Sequence, residues 1–75
     1  MNIHKATPQE ALDIIIEKAG GVTSLAAAIG RTEGAVRYWQ KQGAVPKTAA
    51  RLVSFEMKAQ FGVMVEAEVL SGREV

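Results

Sequence analysis

The chain has 75 residues and no cysteine, and its nine lysines and arginines nearly balance eight acidic residues. This length predicts a single small domain over residues 1–75, with a thin stability margin, because so short a chain buries only about 60% of the surface that its unfolded form exposes. Without cysteine, a disulfide scaffold and a cysteine-ligated zinc site are excluded. No apolar run approaches the roughly 18–20 residues of a membrane span, and the start of the chain lacks a signal-peptide pattern. The expected location is the cytoplasm.

The positive charges are concentrated in one part of the chain. Residues 31–51 hold five basic residues and one acidic residue, whereas the segments on either side are both acidic overall. A surface that faces phosphate needs such a local excess of positive charge. The alternative interpretation is a chance cluster of solvated side chains.

Residues 1–6 show no periodicity and are expected to form a flexible arm. The next residues predict a helix start, because Thr7 suits the N-cap, Pro8 suits the first helical position and Glu10 completes a capping box. Apolar residues at helical spacing extend this first helix to about Ala19, and a pair of glycines ends it.

Residues 22–42 have the pattern of two short helices joined by a tight turn, which is typical of a helix-turn-helix. The first of the two is predicted from about Thr23 to Ile29, with Thr23 or Gly21 as its cap. Gly30 allows the positive φ that the turn requires.

The second helix of this pair is predicted from Thr32, its N-cap, to Gly43. Its buried side is formed by Ala35, Val36 and Trp39, which recur at helical spacing. A helix that hides one face and exposes arginine, tyrosine and lysine on the other suits the DNA-reading part of a helix-turn-helix. The residues left on the exposed side are Glu33, Gly34, Arg37, Tyr38 and Lys41.

A fourth helix is predicted from Pro46 to about Gln60, and the expected fold is therefore all-α, with four or five compact helices. One apolar line of this helix packs under the C-terminal tail or forms part of a dimer interface; its members are Ala50, Val53, Met57 and Phe61. The tail, residues 63–75, alternates apolar and polar residues as a strand does. A short helix over residues 65–70 is the preferred interpretation.

A set of short motifs runs in register through about residues 10–62. It consists of Gly21-Val22-Thr23-Ser24-Leu25-Ala26, Ile29-Gly30, Ala35-Val36-x-x-Trp39 and Gly43-x-Val45-Pro46. This pattern resembles the Cro-type phage repressors and especially their relatives among the YdaS-like antitoxin and prophage regulators. The resemblance implies a Cro- or lambda-repressor-like fold that binds operator DNA as a dimer. It also implies that certain residues face the major groove, namely Thr32, Glu33, Arg37, Tyr38 and Lys41.

Two positions depart from what is expected of such a helix pair. Arg31 follows the turn glycine where that family usually has an aliphatic residue, so we expect it to point outward, toward a phosphate. Gly34, early in the second helix, costs up to about 1 kcal/mol of helix propensity relative to alanine. In return, a glycine lets the helix backbone approach DNA closely.

Arg37 is the main candidate for base recognition. Its guanidinium can bond guanine O6 and N7 together, which is worth about 1–3 kcal/mol of discrimination; the alternative is a surface pair with Glu33, four residues earlier. Glu33 itself orients Arg37 or accepts a bond from a cytosine amino group. Tyr38 contacts a thymine methyl or a phosphate, or it lies half-buried at the edge of the helix.

Other basic and hydroxyl side chains are candidates for phosphate contacts. Lys41 lies near the end of the second helix and suits a contact that fixes register. Thr23 and Ser24 stand at the start of the first helix of the pair, where free N–H groups can hold a phosphate; for Thr23, simple capping is the alternative. Lys47 and Arg51, on the fourth helix, complete this set.

The preferred function is that of a sequence-specific DNA-binding regulator, a homodimer that binds a double-stranded operator through residues 32–42. The alternative is an antitoxin-like protein-interaction module that uses the apolar surface of the fourth helix and the tail. An enzyme finds no support, because His4 is the one histidine and the sequence shows neither paired carboxylates nor metal-ligand spacing. Neither a metal nor a cofactor is expected.

Overall fold

Five helices and two short strands make up residues 2–3 and 7–72, the part of the chain that this computed structural model describes. In chain order they are β1 (Asn2–Ile3), α1 (Pro8–Ala19), α2 (Val22–Ile29), α3 (Glu33–Gln42), α4 (Lys47–Phe61), β2 (Met64–Val65) and α5 (Ala67–Ser71). The expectation of a compact, mostly helical domain is confirmed, although β1 and β2 pair in parallel and so add a small sheet. None of these helices is both long enough and apolar enough to cross a membrane.

Local signals in the sequence predict the limits of α1 correctly. The Thr7 hydroxyl accepts a hydrogen bond from the Glu10 amide at 3.1 Å, and the Glu10 carboxylate accepts one from the Thr7 amide at 2.9 Å. This reciprocal pair satisfies two amides at the free end of the helix. Pro8 is the first helical residue, and Gly20, in the left-handed conformation, ends the helix.

Two other helix starts refine the sequence-based prediction. Of the two caps proposed for α2, Gly21 is found, so the helix begins at Val22 and Thr23 lies within its first turn. Gly21 has φ +121°, a backbone conformation that glycine adopts and other residues avoid. Pro46 is the N-cap of α4 rather than its first helical residue, because its own backbone is still extended.

The core is built from all five helices and is lined by aliphatic and aromatic side chains. α1 packs against α2, α4 and α5, while α3 packs chiefly on α2. Among the described residues, no polar or charged side chain is buried, so apolar packing supplies the stabilisation of the interior. The largest fully buried side chains are Leu12, Ile15, Leu25, Val36, Val45, Val53, Met57 and Leu70.

The apolar line predicted on α4 packs inside the chain. Ala50, Val53 and Met57 are buried, and Phe61 is half-buried against the same core. Packing under the C-terminal segment is therefore confirmed, and this line is not available as a dimer interface. Phe55, which belongs to no apolar line of α4, is 67% exposed.

The C-terminal segment contains both kinds of structure that its sequence pattern suggested. Val65 ends the strand β2, and α5 begins at Ala67, two residues later than predicted. The Ser54 hydroxyl donates to the Val65 carbonyl at 2.5 Å, and the Val45 amide donates to the Leu70 carbonyl at 2.9 Å. These bonds, together with the burial of Val65 and Leu70, tie the segment to α4 and to the loop that precedes it.

The flexible arm predicted for residues 1–6 is wrong at two positions. Asn2 and Ile3 form β1, with Asn2 opposite Met64 and Ile3 opposite Val65. The reason is non-local, because these partners lie some sixty positions away and leave no periodic signal in the arm itself. Residues 1 and 4–6 of the arm lie outside the described residues, as do residues 73–75 of the tail.

Trp39 and Tyr38 are neighbours on α3 with opposite environments, and this contrast gives a stability test. We expect Trp39→Ala to lower the free energy of unfolding by about 3–5 kcal/mol, because a large buried side chain leaves a cavity. Tyr38→Ala, the matched control at a 60% exposed position, should change it by less than about 0.5 kcal/mol. Urea denaturation followed by circular dichroism measures both, and equal midpoints for the two variants would contradict the placement of Trp39 in the core.

Candidate nucleic-acid interface

The rotation of α3 about its axis is set by its buried side. Val36 is fully buried and Trp39 is 5% exposed. Because these two residues are three positions apart, they share one face, and the residues of the opposite face point to solvent. The exposed residues form two neighbouring lines along the helix: Glu33, Arg37 and Lys41, and beside them Gly34, Tyr38 and Gln42. The side predicted to point outward is thus solvent-exposed.

The connection from α2 to α3 has only three residues, 30–32, and depends on a glycine. Gly30 has φ +70°, which reverses the chain at the end of α2. The amide of the next residue, Arg31, donates to the Ala26 carbonyl at 2.9 Å, and the Gly30 amide donates to the same carbonyl, so the last helical turn is closed by backbone hydrogen bonds. The Arg31 side chain is exposed, as expected from its position after the turn.

Thr32 caps α3, as predicted. Its hydroxyl oxygen accepts a hydrogen bond from the Ala35 amide at 3.1 Å, which stabilises the first turn of the helix. The cap uses the oxygen and not the hydroxyl hydrogen, so the exposed side chain keeps a donor for an outside acceptor. Thr32 therefore caps α3 and also lies at the edge of its exposed side.

Arg37 and Glu33 form a surface ion pair, which was the alternative to base recognition in the interpretation of Arg37. The guanidinium Nη2 lies 3.2 Å from the Glu33 Oε1, and the side chains are 64% and 47% exposed, respectively. An exposed pair at this spacing contributes only about 0.3–0.5 kcal/mol. Because guanidinium carries five N–H donors, most of them remain available to another acceptor. The pair therefore orients the Arg37 side chain and leaves most of its N–H donors available for a ligand.

Tyr38 is 60% exposed, which excludes the half-buried alternative. It lines a groove of about 320 Å³ together with Gln42 and Pro46, where α3 ends and α4 begins. The sequence-based reasoning overlooked Gln42, although it stands four residues after Tyr38, the spacing of side chains on one helix face. Its amide is a donor and an acceptor in one plane, a combination suited to adenine.

The first turn of α2 presents hydroxyl groups to solvent. Thr23 and Ser24 are both exposed, and the N-cap, Gly21, has no side chain with which to satisfy the amides of this turn. Because Thr23 is not the cap, its hydroxyl is not used in that way. The turn retains the features that favour an anion at a helix start, namely unpaired N–H groups and adjacent donors.

The remaining basic candidates lie on two different parts of the surface. Lys41 is exposed in the last turn of α3, on the same line as Arg37. Lys47 and Arg51 are exposed on α4, where they line a second groove, together with Glu68 of α5. The fold thus divides the basic segment of the sequence, and only part of it belongs to the exposed α3 side.

The exposed α3 side carries several groups suited to non-covalent binding. It offers N–H and O–H donors and one aromatic ring, all on a rigid helix. Across residues 7–72, no three potential metal ligands among histidine, cysteine, aspartate and glutamate come together. The side chains that supply the donors are Arg37, Tyr38, Lys41 and Gln42.

Changing either of two glycines in this region to alanine should affect the stability of the fold, in opposite directions. Gly30→Ala should destabilise the fold by about 1–2 kcal/mol, because alanine at positive φ is strained even though no packing neighbour among the described residues lies within 4 Å of the added methyl. Gly34→Ala should stabilise it by up to about 1 kcal/mol, because Gly34 is helical and the methyl meets only the Thr32 hydroxyl at 3.8 Å.

Thermal and urea unfolding of the two variants check this contrast. If Gly34→Ala stabilises the free protein and yet weakens binding of its ligand, the glycine serves close approach rather than folding. A destabilised Gly34→Ala variant would show that the glycine has a role inside the fold.

No protein-family model, no characterised protein and no solved structure gives a significant match to the chain. The resemblance to Cro-type repressors therefore stays an expectation carried by the motifs of the sequence.

Proposed function

We propose that the chain is a sequence-specific DNA-binding regulator in which α2 and α3 form a helix-turn-helix and α3 enters the major groove. The supporting observation is the exposed α3 surface, which buried Val36 and Trp39 hold at one rotation. The residues of that surface are Arg37, Tyr38, Lys41 and Gln42. A cytoplasmic location, where a bacterial chromosome lies, belongs to the same proposal.

The dimensions of α3 suit this role. Its ten residues span about 15 Å, and a helix about 10–12 Å across fits a major groove about 12 Å wide. In a helix-turn-helix, the preceding helix crosses the DNA backbone. The first turn of α2 offers what such a crossing needs, since Thr23 and Ser24 stand in a turn whose amides receive no hydrogen bond from a cap side chain.

The side chains divide between base recognition and phosphate binding. Arg37 suits guanine, and the discrimination of about 1–3 kcal/mol that a bidentate contact provides exceeds the few tenths of a kcal/mol of its pair with Glu33. Tyr38 and Gln42 lie beside Arg37 on the exposed side of α3. In the major groove of DNA, their matching partners are a thymine methyl and an adenine edge, respectively. Lys41 and Arg31, at the two ends of α3, are placed for phosphates, which fix register but carry no sequence information.

A protein-interaction module is the second candidate, and one observation favours it: Phe55 and Met64 are exposed, large and apolar. These residues belong to α4 and β2, whereas the charged line of Arg37 and Lys41 belongs to α3. A module that binds only protein through α4 has no use for that charged line. DNA binding therefore explains more of the surface, and the two functions do not compete for the same residues.

Selection of binding sites from a random pool of DNA duplexes tests the proposed function. We expect one sequence to be enriched, built of two related half-sites about one helical turn apart, and bound with an affinity that falls steeply with salt. Salt-sensitive binding with no enriched sequence would contradict base recognition by α3. Absence of binding would contradict the proposal as a whole.

Variants of Arg37 and Lys41 separate recognition from electrostatics on the selected site. Arg37→Lys keeps the charge but loses the bidentate fork, so preference should relax at one base position of each half-site with the salt dependence unchanged. Lys41→Ala should weaken binding to all sequences alike and reduce the slope of log affinity against log salt by about one. Unchanged base preference in Arg37→Lys would contradict the role assigned to Arg37.

A further inference from the structure

Two large apolar side chains remain exposed on the side of the chain formed by α4, β2 and α5. Phe55 is 67% and Met64 is 43% exposed, and in the described part of the chain only Tyr38 joins them as a large exposed hydrophobic residue. Both line a groove of about 570 Å³ between α4 and the β2–α5 segment. DNA reading by α3 does not account for this groove, which we name the α4–α5 groove.

The two walls of the α4–α5 groove carry opposite charges. Arg51 and Lys58 lie on the α4 wall, about one helical turn on either side of Phe55. Glu66 lies on the opposite wall, and Glu68 follows where the groove continues past Arg51. None of these four charges forms an ion pair with another described residue, since the one ion pair among residues 7–72 joins Arg37 and Glu33 on α3.

We propose that the α4–α5 groove is the interface of a homodimer, with a second copy of the chain related to the first by a two-fold axis. In such an interface the same patch is used twice, so every contact between two residues occurs a second time with the copies exchanged. An axis through the apolar centre sets the cationic α4 wall of each copy against the acidic wall of the other. Phe55 of each copy then enters the groove beside Met64 of the other.

The charge pattern selects a second copy over a foreign peptide. An acidic peptide matches Arg51 and Lys58 but is repelled by Glu66 across the groove, and a basic peptide has the reverse conflict. A two-fold related copy matches both walls at once. A central aromatic anchor inside a polar and charged rim is also the usual anatomy of a protein interface.

The α4–α5 groove and the exposed α3 side belong to different parts of the fold. α4 packs chiefly against α5 and β2, whereas α3 packs chiefly on α2. A dimer formed through the groove therefore leaves α3 uncovered in both copies. That two α3 helices then meet a palindromic site rests on the proposed function, whereas the dimer itself does not.

Sedimentation equilibrium without DNA tests the interface separately from DNA binding. Across the micromolar range, we expect the mass of the wild-type protein to rise with concentration toward twice the 8.0 kDa of one chain. Phe55→Ser removes the anchor at an exposed position, so the fold is retained and the dissociation constant of the dimer rises about 30-fold or more. Tyr38→Ser, which removes an exposed aromatic side chain outside the groove, is the matched control and should dimerise as the wild type does.

Charge reversal tests whether the partner is a second copy in the two-fold arrangement. One variant carries Arg51→Glu and Lys58→Glu, and the other carries Glu66→Lys and Glu68→Lys. In a dimer of either variant with itself, the facing groove walls would carry charges of the same sign. We therefore expect each variant alone to be monomeric, with an unchanged circular dichroism spectrum. An equimolar mixture restores opposite charges at both walls and should sediment as a heterodimer.

Three results would overturn the proposal: a wild-type protein that stays monomeric, a Phe55→Ser variant that dimerises like the wild type, or reversed variants whose mixture does not associate. Because DNA is absent from these measurements, each of these results leaves the proposed DNA reading by α3 to be judged by its own experiment.

Discussion

Burial of Trp39 and Val36 against the rest of the core is the constraint on which the surface of this protein depends. The charged residues of α3 are all exposed because these two side chains are buried, and the short connection at Gly30 leaves α3 little freedom to rotate. A comparison of energies supports the view that burial of these side chains, and not the surface ion pair, sets the orientation of α3. Burying one large aromatic side chain is worth several kcal/mol, about ten times the exposed pair of Arg37 and Glu33. Packing therefore positions the charged side chains, and their own contacts only adjust them.

The fold distributes a single basic stretch of sequence over two surfaces. Arg31, Arg37 and Lys41 stand on or beside α3, whereas Lys47 and Arg51 lie along α4 and line a groove together with Glu68 of α5. Charge summed along the chain treats these five residues as one patch. In three dimensions the first group lies on one exposed surface, whereas Arg51, from the second, lines the α4–α5 groove that we propose as a homodimer interface. On the two proposals made above, the DNA-binding surface and the dimer interface therefore share no residue.

Structural features that depend on a few neighbouring residues could be predicted from the sequence, whereas features that depend on distant partners could not. The capping box of Thr7, the cap of Thr32 and the left-handed Gly30 follow from the chemistry of one turn, and all three are found. The strand formed by the first residues was missed because its partner, β2, lies at the other end of the chain. The exposure of Phe55, by contrast, agrees with its spacing, since Phe55 lies on neither apolar line of α4.

A nuclear magnetic resonance titration tests most directly whether the exposed side of α3 is the nucleic-acid surface. Amide resonances of the folded protein are followed while a duplex that contains a selected site is added at low salt. We expect the largest shifts in α3 and in the first turn of α2, with Arg37, Tyr38 and Lys41 among them, and no shifts in α1. Shifts confined to the α4–α5 groove around Phe55 and Met64, or no shifts at all, would contradict this expectation.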